Sequence, residues 1–598
     1  MEEPTPCSRH EEPVIKNKLS KAQPKSAAGP TSVLGKIAAR FPAVVPMAVA
    51  LLCLLPFLNR AFSMDDPLFI WMAKHILGHP ADPYGFSVNW YGVDHPMSFV
   101  MKNPPLNSYY IAAVSGIVGM SEVALHLAFL LPAIAAVLGT YLLARRLCGH
   151  PVEATLVAVL TPVFLICSST VMCDTMMLAF WVWSVFLWVK GLEENRSWML
   201  ALSCVLIAAC ALTKYYGAVL IPLLLAYSII SKRRLGWWLL HFLIPVAILA
   251  AYEYWTRALY GRGLLLDAFW YAREHRPLLE TISVRRDITA LAFTGGCIAG
   301  VIFHAHLLWT RKALMGWIGL IAVLAAAGIT ASLGSSMFKP ETKVGWMLIL
   351  QLALFTVSGL SLVVLACKDY LSRRNADSAL LFLWFMGVFA FAGLANWTMN
   401  GRALLPMAPV AGILIVRRIE QISKGKQDPG PSLVWPLILS AGLALIVAHA
   451  DCRFANSQRM AASVIYSHYN TGDRMWFEGH WGFQYYMQTL GADPFAFDKS
   501  ELKKGDVLVT PAKNTNAVPI IDESCTTAAA FPVDRCLSTM SPASGTGFHS
   551  DVWGPVPFAF GSTAPEIYYI TPVNDANFSM LRDVMSQLRQ QLPPMPRK

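Results

Sequence analysis

Residues 124–146 read ALHLAFLLPAIAAVLGTYLLARR, a mainly apolar run that ends in two arginines. A helix needs about 20 apolar residues to cross the hydrocarbon layer of a membrane, and this run has that length. Lys and Arg are enriched in the loops that stay on the cytoplasmic side. The stretch therefore predicts a transmembrane helix whose end at Arg145 and Arg146 lies in the cytoplasm.

Runs of this kind recur along most of the chain. Hydrophobic residue types make up 55% of the 598 residues, and the mean hydropathy is +0.47, which indicates a polytopic membrane protein. The first run is too long for the apolar part of a cleaved signal peptide and is interpreted as a signal anchor. About 13 transmembrane helices are predicted, at residues 38–58, 124–145, 152–171, 174–190, 197–212, 216–231, 236–255, 288–308, 313–332, 344–367, 379–396, 403–418 and 433–449.

The net charge of +11 is explained by the distribution of the basic residues. They cluster in every second connection between predicted spans, as the positive-inside rule requires of cytoplasmic loops. The pattern predicts a cytoplasmic N-terminus, an outer C-terminal region and no nucleic-acid partner. The clusters contain Arg145, Arg146, Lys190, Arg196, Lys232, Arg233, Arg234, Arg311, Lys312, Lys368, Arg373, Arg374, Arg417, Arg418, Lys424 and Lys426.

The segments outside the spans divide the chain into regions. Residues 1–37 are polar and are predicted as a disordered cytoplasmic tail, followed by a transmembrane domain at 38–449. That domain has two long outer loops, 59–122 and 256–287, and the first is too long to be a simple connection. Residues 450–598 are richer in Asp, Asn, Ser, Thr and Pro and are predicted as a soluble α/β domain on the outer face.

The predicted outer domain has two buried strands, at 474–478 and 506–510, with a helix at 481–490 between them. It has no glycine-rich nucleotide loop and no nucleophile elbow. Cys525 and Cys536 are able to pair in an oxidising compartment, and whether they do is left open. No Cys and His spacing in the chain is typical of a structural zinc site.

Three acids are candidates for catalysis. Asp65 and Asp66 follow the first span directly, and Asp174 stands at the outer end of another. Each can simply cap a helix, since Asp before Pro67 is a normal helix start. In the functional interpretation one acid of the pair is a general base, while the others orient the base or the acceptor.

Four cations are candidates for binding an anionic group. Lys102, Lys214 and Arg402 all fall on the predicted outer side, where they either anchor their spans or hold a departing phosphate. Arg273 belongs to the loop 256–287, which is either an exposed segment at the lipid headgroups or a basic rim for a lipid phosphate. The arginines of that loop are Arg257, Arg262, Arg273, Arg276, Arg285 and Arg286.

The order of these motifs resembles the GT-C glycosyltransferases that use lipid-phosphate sugars, specifically the protein O-mannosyltransferase and aminoarabinose-transferase branch. In that family an Asp-Glu pair follows the first span, and here an Asp pair stands in its place. Two departures are that Asn103 separates Lys102 from the first proline and that Ala403 replaces a tyrosine. The corresponding elements here are Asp65-Asp66, Pro104-Pro105-Leu106, Asp174-Thr175, Leu212-Thr213-Lys214-Tyr215 and Arg402-Ala403-Leu404-Leu405-Pro406-Met407-Ala408-Pro409.

The resemblance implies an inverting glycosyltransferase that moves a sugar from a polyprenyl-phosphate donor to an acceptor hydroxyl at the outer membrane face. Asp65 would deprotonate the acceptor, with Asp66 and Asp174 orienting it. The donor phosphate would be bound by Lys102, Lys214 and Arg402, with help from Arg273. The acceptor is a lipid, a protein or a polysaccharide, and membrane lipids are further partners. The expected location is a bacterial inner membrane.

A cofactor is not required by this chemistry, because Lys and Arg neutralise a leaving monophosphate, although an acid pair can also hold Mg²⁺ or Mn²⁺. The main alternative function is a transporter or lipid flippase with the acids as a proton or substrate relay. Transporters usually place ionisable residues near the bilayer midplane between inverted repeats, and no such repeat is evident. A scaffold built around the outer domain would leave the loop 59–122 unexplained.

Overall fold

The computed structural model describes residues 40–274, 283–309, 336–423, 430–470, 474–515, 517–518 and 525–591, with seven further residues between 321 and 333. The predicted tail, most of the predicted span 313–332 and part of the loop 256–287 lie outside these ranges.

The described chain is mainly helical. Each predicted span within the described ranges coincides with a helix or a pair of helices, and seven helices are long and apolar enough to cross a membrane, or nine if each of two bent pairs forms one span. The helices are Val44–Leu54, Asp66–Gly78, Met97–Val100, Leu106–Val118, Glu122–Leu147, Pro151–Val159, Pro162–Ser168, Asp174–Glu194, Ser197–Thr213, Leu220–Lys232, Leu243–Tyr260, Leu264–Glu274, Val284–Cys297, Gly300–Leu308, Trp346–Arg373, Ala376–Ala390, Gly401–Leu404, Met407–Ser423, Gly430–Tyr469, Trp481–Leu490 and Phe578–Gln591.

Two predicted spans are bent. The helices Pro151–Val159 and Pro162–Ser168 meet at 67°, where the sequence predicted one helix over 152–171. Pro162 lacks an N–H group and begins the second helix, and the Thr161 side chain accepts a hydrogen bond from the Phe164 N–H. The helices Val284–Cys297 and Gly300–Leu308 meet at 89°.

Glycines allow one pair of long helices to pack closely. A Cβ atom on Gly295 would lie 1.9 Å from the Phe355 carbonyl oxygen, and one on Gly359 would lie 2.0 Å from that of Leu291. Small residues at a helix interface let two backbones approach, which is the usual packing inside a membrane. This contact joins Val284–Cys297 to Trp346–Arg373.

The predicted basic connections meet at one end of the bundle. Arg146 pairs with Glu193 and also with Asp377, at 2.9 Å for the second pair. Arg373 and Arg417 share the Asp369 carboxylate at 3.1 and 3.2 Å. Connections far apart in sequence are therefore neighbours, as a common side of the membrane would require.

The C-terminal domain contains the predicted α/β unit at the opposite end. Its main sheet has the order β4 (Asp493–Pro494), β3 (Met475–Phe477), β5 (Val507–Pro511), β11 (Glu566–Pro572) and β6 (Thr527–Phe531). Strands β3, β4 and β5 are parallel, and β11 is antiparallel to β5 and β6. Helix Trp481–Leu490 connects β3 to β4, so both predicted strands and the helix between them are confirmed. The strands are β1 Ser87–Asn89, β2 Asp94–Pro96, β3 Met475–Phe477, β4 Asp493–Pro494, β5 Val507–Pro511, β6 Thr527–Phe531, β7 Leu537–Ser538, β8 Met540–Ser541, β9 Thr546–Gly547, β10 Ala559–Phe560 and β11 Glu566–Pro572.

The last long helix joins the bundle to this domain. It begins at Gly430 and continues beyond the predicted span end at 449 to Tyr469. The sequence places a boundary at 450 because the apolar pattern stops there, but a helix continues through polar residues when the domain packs around it. The bundle and the C-terminal domain are thus joined by one continuous helix.

Cys525 and Cys536 lie at opposite ends of β6. The Cys525 sulfur is 2.9 Å from the Asn577 amide nitrogen, whereas the Cys536 carbonyl accepts a hydrogen bond from Gly561. No disulfide joins these two residues in the described part of the chain. The structure does not bring the two sulfurs together.

Candidate active site between the helices and the C-terminal domain

The acid pair follows a strained backbone turn and has two separate roles. Met64 adopts a left-handed φ of 51°, which is uncommon for a residue with a side chain, and it precedes Asp65. Asp66 is fully buried, and its carboxylate accepts hydrogen bonds of 3.0 Å from the backbone N–H groups of Ser63 and Val171. Asp66 therefore fixes the turn, while Asp65 remains partly accessible.

Burial raises the pKa of the Asp66 carboxyl to about 7, against the opposing effects of Arg60 and the two backbone donors. The anchoring extends further, because the Asn107 amide donates to the Val171 carbonyl at 2.9 Å. The segment before Asp174 and the helix that follows Pro104-Pro105 are thereby attached to the acid turn.

Asp65 is paired with Arg402. Its Oδ2 lies 2.8 Å from Arg402 Nη1, and the Asp65 side chain is 28% exposed. Arg402 stands in the short helix Gly401–Leu404, whose start is capped by the Asn400 side chain accepting from the Ala403 N–H at 2.8 Å. Within the described part of the chain, the buried Nε of Arg402 has no hydrogen-bond partner. A bidentate anion could use it together with Nη2, which lies on the same edge of the guanidinium.

Asp174 forms a second ion pair beside the first. Its Oδ1 lies 2.5 Å from Lys214 Nζ, and the Asp174 side chain is fully buried. Lys214 follows the helix Ser197–Thr213, whereas Asp174 begins the helix Asp174–Glu194. Arg402 interacts electrostatically with both Asp65 and Asp174.

We call the four residues Asp65, Arg402, Asp174 and Lys214 the charge row. Acid and cation alternate, and each member comes from a different segment and from the end of a helix. An isolated charge is costly when its side chain is buried, but neighbouring charges of opposite sign stabilise each other. Three of the predicted catalytic and phosphate-binding groups are thus brought to Asp65.

Lys102 lies in a neighbouring group and not in the charge row. Its Nζ is 2.7 Å from Asp267 Oδ2, and Asp267 Oδ1 is 3.3 Å from Arg262. The ammonium also lies 4.9 Å from the centre of the Tyr271 ring. Burial lowers the pKa of Lys102, while Asp267 opposes that shift. The sequence grouped Lys102 with Lys214 and Arg402, and it did not identify Asp267 as the partner.

Arg273 is in the last turn of the helix Leu264–Glu274, which also carries Asp267. Its guanidinium lies 5.4 Å from the centre of the Trp270 ring. Leu266, Phe269 and Trp270 on this helix are all about half exposed, as expected of a helix at a membrane interface. This placement supports the headgroup interpretation of the loop as much as the phosphate one.

The C-terminal domain reaches the charge row, which the sequence did not predict. His480 is buried, its ring packs 4.4 Å from that of Trp90, and its Nε2 lies 2.6 Å from the Thr515 hydroxyl. Burial lowers the pKa of His480 to about 3, although Asp65 acts in the opposite direction, so the imidazole is neutral near pH 7. Thr515 and the Trp90 backbone occupy the ring nitrogens, so the neutral ring attaches this part of the C-terminal domain to the loop 59–122.

Tyr91 provides a second contact that the sequence did not reveal. It hydrogen-bonds to Tyr271, and burial raises its pKa, with Tyr271 and Asp65 adding to the shift. Tyr91 therefore lies beside Tyr271, whose ring also contacts Lys102, and it interacts electrostatically with Asp65. The only sequence signal was the Pro-, Gly- and aromatic-rich composition of residues 80–110.

No metal ligand set is evident in the described ranges. Three or more His, Cys, Asp or Glu side chains do not come together there as a metal-binding group. The carboxylates of the charge row each face a cation instead. The divalent cation considered from the sequence therefore has no assigned ligands.

Residues 102–255 match the family model described as dolichyl-phosphate-mannose-protein mannosyltransferase. This confirms the predicted resemblance over that part of the chain, which includes Lys102, Asp174 and Lys214. The sequence has no significant match among curated proteins.

Several solved structures are similar to this chain over much of its length. One is the Archaeoglobus fulgidus oligosaccharyltransferase tethered with an acceptor peptide, with a TM-score of 0.46 and 13% identity; the match covers 77% of this chain and 64% of that one. Another is ArnT from Cupriavidus metallidurans bound to undecaprenyl phosphate, with a TM-score of 0.43 and 13% identity, covering 80% and 94%. ArnT in the apo state has a TM-score of 0.41 and 14% identity, covering 79% and 93%.

Proposed function

We propose that this protein is a membrane glycosyltransferase that moves a sugar from a polyprenyl-phosphate donor to an acceptor hydroxyl with inversion at the anomeric carbon. The observation that carries the proposal is the charge row, in which a partly exposed carboxylate is joined to cations suited to a leaving phosphate. The family match over residues 102–255 supports the same reaction class.

Asp65 is the proposed general base. The acceptor oxygen attacks the anomeric carbon and forms the new glycosidic bond, while its proton passes to the Asp65 carboxylate. The bond between the anomeric carbon and the phosphate oxygen breaks, and polyprenyl phosphate leaves with the electron pair. A positioned base contributes roughly 10²–10⁴-fold to such a reaction.

Arg402 and Lys214 are the proposed phosphate ligands. A sugar phosphodiester carries one negative charge, and the leaving phosphate carries two, so fixed cations stabilise the transition state more than the ground state. Arg402 contacts Asp65 in the present arrangement. By turning towards the phosphate, it would release a carboxylate oxygen to hydrogen-bond with the acceptor.

Asp66 and Asp174 are proposed as positioning residues. Asp66 holds the turn that presents Asp65, and Asp174 holds Lys214. Lys102 and Arg273 are proposed to contact the phosphate or the headgroup region of the donor from the adjacent loop. The acceptor is proposed to approach from the outer membrane face, where it is a lipid, a protein or a polysaccharide.

The placement of the ionisable groups bears on the transporter alternative. A relay for transport would use charges near the middle of the bilayer. The four members of the charge row stand at helix ends, and the residues directly before Arg402 contact the C-terminal domain. This location favours chemistry at a surface.

The experiment compares the wild type with Asp65→Asn in membranes supplied with radiolabelled polyprenyl-phosphate sugars. We expect transfer to be lost while binding of polyprenyl phosphate is retained. Asp94→Asn is a matched control, because Asp94 lies in the same loop but pairs with Lys499 in the C-terminal domain. Transfer by Asp65→Asn at the wild-type rate would refute the mechanism.

A further inference from the structure

The segment Phe548–Asp551 of the C-terminal domain holds the loop that presents Arg402. The Gly401 N–H donates to the Phe548 carbonyl at 2.8 Å, and the Asp551 N–H donates to the Met399 carbonyl at 2.8 Å. A Cβ atom on Gly401 would lie 2.6 Å from the Phe548 ring, so the loop fits tightly against the segment. These contacts fix Gly401 and Met399, which come directly before Arg402 and two residues earlier.

The Asp551 side chain adds a second layer of contacts. Its Oδ1 accepts hydrogen bonds from the Thr398 hydroxyl at 2.6 Å and from the Met399 N–H at 3.0 Å. The Thr398 hydroxyl also lies 2.8 Å from that of Ser550. A carboxylate that bridges a side chain and a backbone donor restricts the loop more than either bond alone.

His549 connects the same segment to the acid side of the site. Its Nε2 lies 3.1 Å from Asp451 Oδ1, and Asp451 Oδ2 lies 2.7 Å from Arg60. Arg60 donates in turn to the Ser169 hydroxyl at 2.9 Å. These four side chains are almost entirely buried. Arg60 precedes the turn of Asp65, and Ser169 precedes Asp174, so the segment is linked to both of these stretches through Asp451.

We propose that Asp551 is a positioning residue for Arg402 and that the segment Phe548–Asp551 makes the C-terminal domain part of the donor-phosphate site. This inference rests on the proposed function, because it assigns phosphate binding to Arg402. Asp551 touches no reacting atom in this scheme. It fixes the loop Thr398–Gly401, and through that loop the backbone position from which the Arg402 side chain reaches the phosphate.

The test measures binding of a polyprenyl phosphate to the full-length protein in lipid nanodiscs, together with kcat and KM for sugar transfer. We expect Asp551→Ala to weaken binding about tenfold, since two hydrogen bonds to a charged group are lost. Asp551→Asn keeps an oxygen that accepts both bonds, so its affinity should stay close to that of the wild type. Asp575→Ala, an exposed acid in the same domain, is the matched control.

A double-mutant cycle shows whether Asp551 acts through Arg402. If it does, Asp551→Ala has little further effect when Arg402 is already alanine. Full additivity, or wild-type binding by Asp551→Ala, would overturn the inference. If Asp551→Ala fails to fold, Thr398→Val removes one of the same bonds and should weaken binding in the same direction; unchanged binding would again overturn it.

The two proposals fail in different ways. If Arg402→Ala binds polyprenyl phosphate as well as the wild type does, the phosphate role of Arg402 is wrong, and this inference fails with it. If Arg402→Ala loses binding while Asp551→Ala keeps it, only the positioning role is wrong.

Discussion

Asp65 and Arg402 are 337 residues apart in sequence, yet their side chains form an ion pair of 2.8 Å. The pair joins the turn after the helix Val44–Leu54 to the short helix Gly401–Leu404. In the proposed reaction one partner accepts a proton and the other binds the leaving group. The proposed general base and the proposed phosphate ligand are therefore hydrogen-bonded to each other.

Replacement of Arg402 should mainly affect the donor. We expect Arg402→Ala to weaken polyprenyl-phosphate binding roughly 10- to 100-fold, because a charge-assisted contact is removed. Arg402→Lys keeps the charge without the bidentate geometry, so an intermediate affinity is expected. Equilibrium binding to the purified protein measures both variants. Equal affinities for Arg402→Lys and Arg402→Ala would show that the positive charge at this position does not contribute to binding of polyprenyl phosphate.

Asp267 should compete with the donor phosphate for Lys102. The two side chains are 2.7 Å apart, so a phosphate that binds Lys102 must share it with or displace the carboxylate. We expect Asp267→Asn to lower KM for the donor several-fold and Lys102→Ala to raise it. Steady-state transfer at varied donor concentration measures this. A change in KM from Asp267→Asn that persists in the Lys102→Ala background would exclude Lys102 as the mediator.

Close helix packing gives a prediction that does not depend on catalysis. Gly295→Ala would place a methyl group against the Phe355 backbone, which cannot move away as a flexible side chain would. We expect a loss of about 1–3 kcal/mol in stability, seen as a lower melting temperature in detergent. Gly387→Ala is the control, because a Cβ at Gly387 meets nothing within 4 Å. Similar melting temperatures for the two variants would contradict the packing described here.

The sequence predicted the fold better than the site. Apolar length and basic connections are local signals, so they located the helices and the basic end of the bundle. An ion pair depends on which segments meet in the folded chain. The sequence does not show that the loop with Lys102 meets the loop with Asp267, so this pair was not predicted. The contacts of His480 with Trp90 and of Asp551 with the loop before Arg402 were not predicted either. The polar composition of the C-terminal domain does not indicate which part of the remaining chain it packs against.

Glu478 predicts a pH dependence of stability in the C-terminal domain. The side chain is buried, which raises its pKa to about 8 from an ordinary value of 4.5, although the Val518 N–H and Thr510 oppose the shift. A raised pKa means that the folded state binds the proton more tightly than the unfolded state does. The stabilisation is therefore complete below about pH 4.5 and is lost as the pH rises to about 8, by roughly 1.4 kcal/mol per pH unit within that window.

Glu478→Gln removes this titration, so the melting temperature of the variant should fall less than that of the wild type between pH 5 and 8. Glu501→Gln, an exposed acid in the same domain, should behave as the wild type does. Parallel pH profiles for the wild type and Glu478→Gln would show that Glu478 does not titrate in this range.

The pair of Asp174 and Lys214 allows stability and function to be separated. Asp174→Asn leaves Lys214 partly buried without its counter-charge, and we expect a loss of roughly 3 kcal/mol in stability. The double variant Asp174→Asn with Lys214→Met removes both charges, so the melting temperature should recover. If Lys214 binds the donor phosphate, the recovered protein still binds polyprenyl phosphate poorly and transfers little sugar. Recovery of both the melting temperature and transfer would show that the pair only stabilises the fold, and Arg402 would then be the remaining phosphate ligand of the charge row.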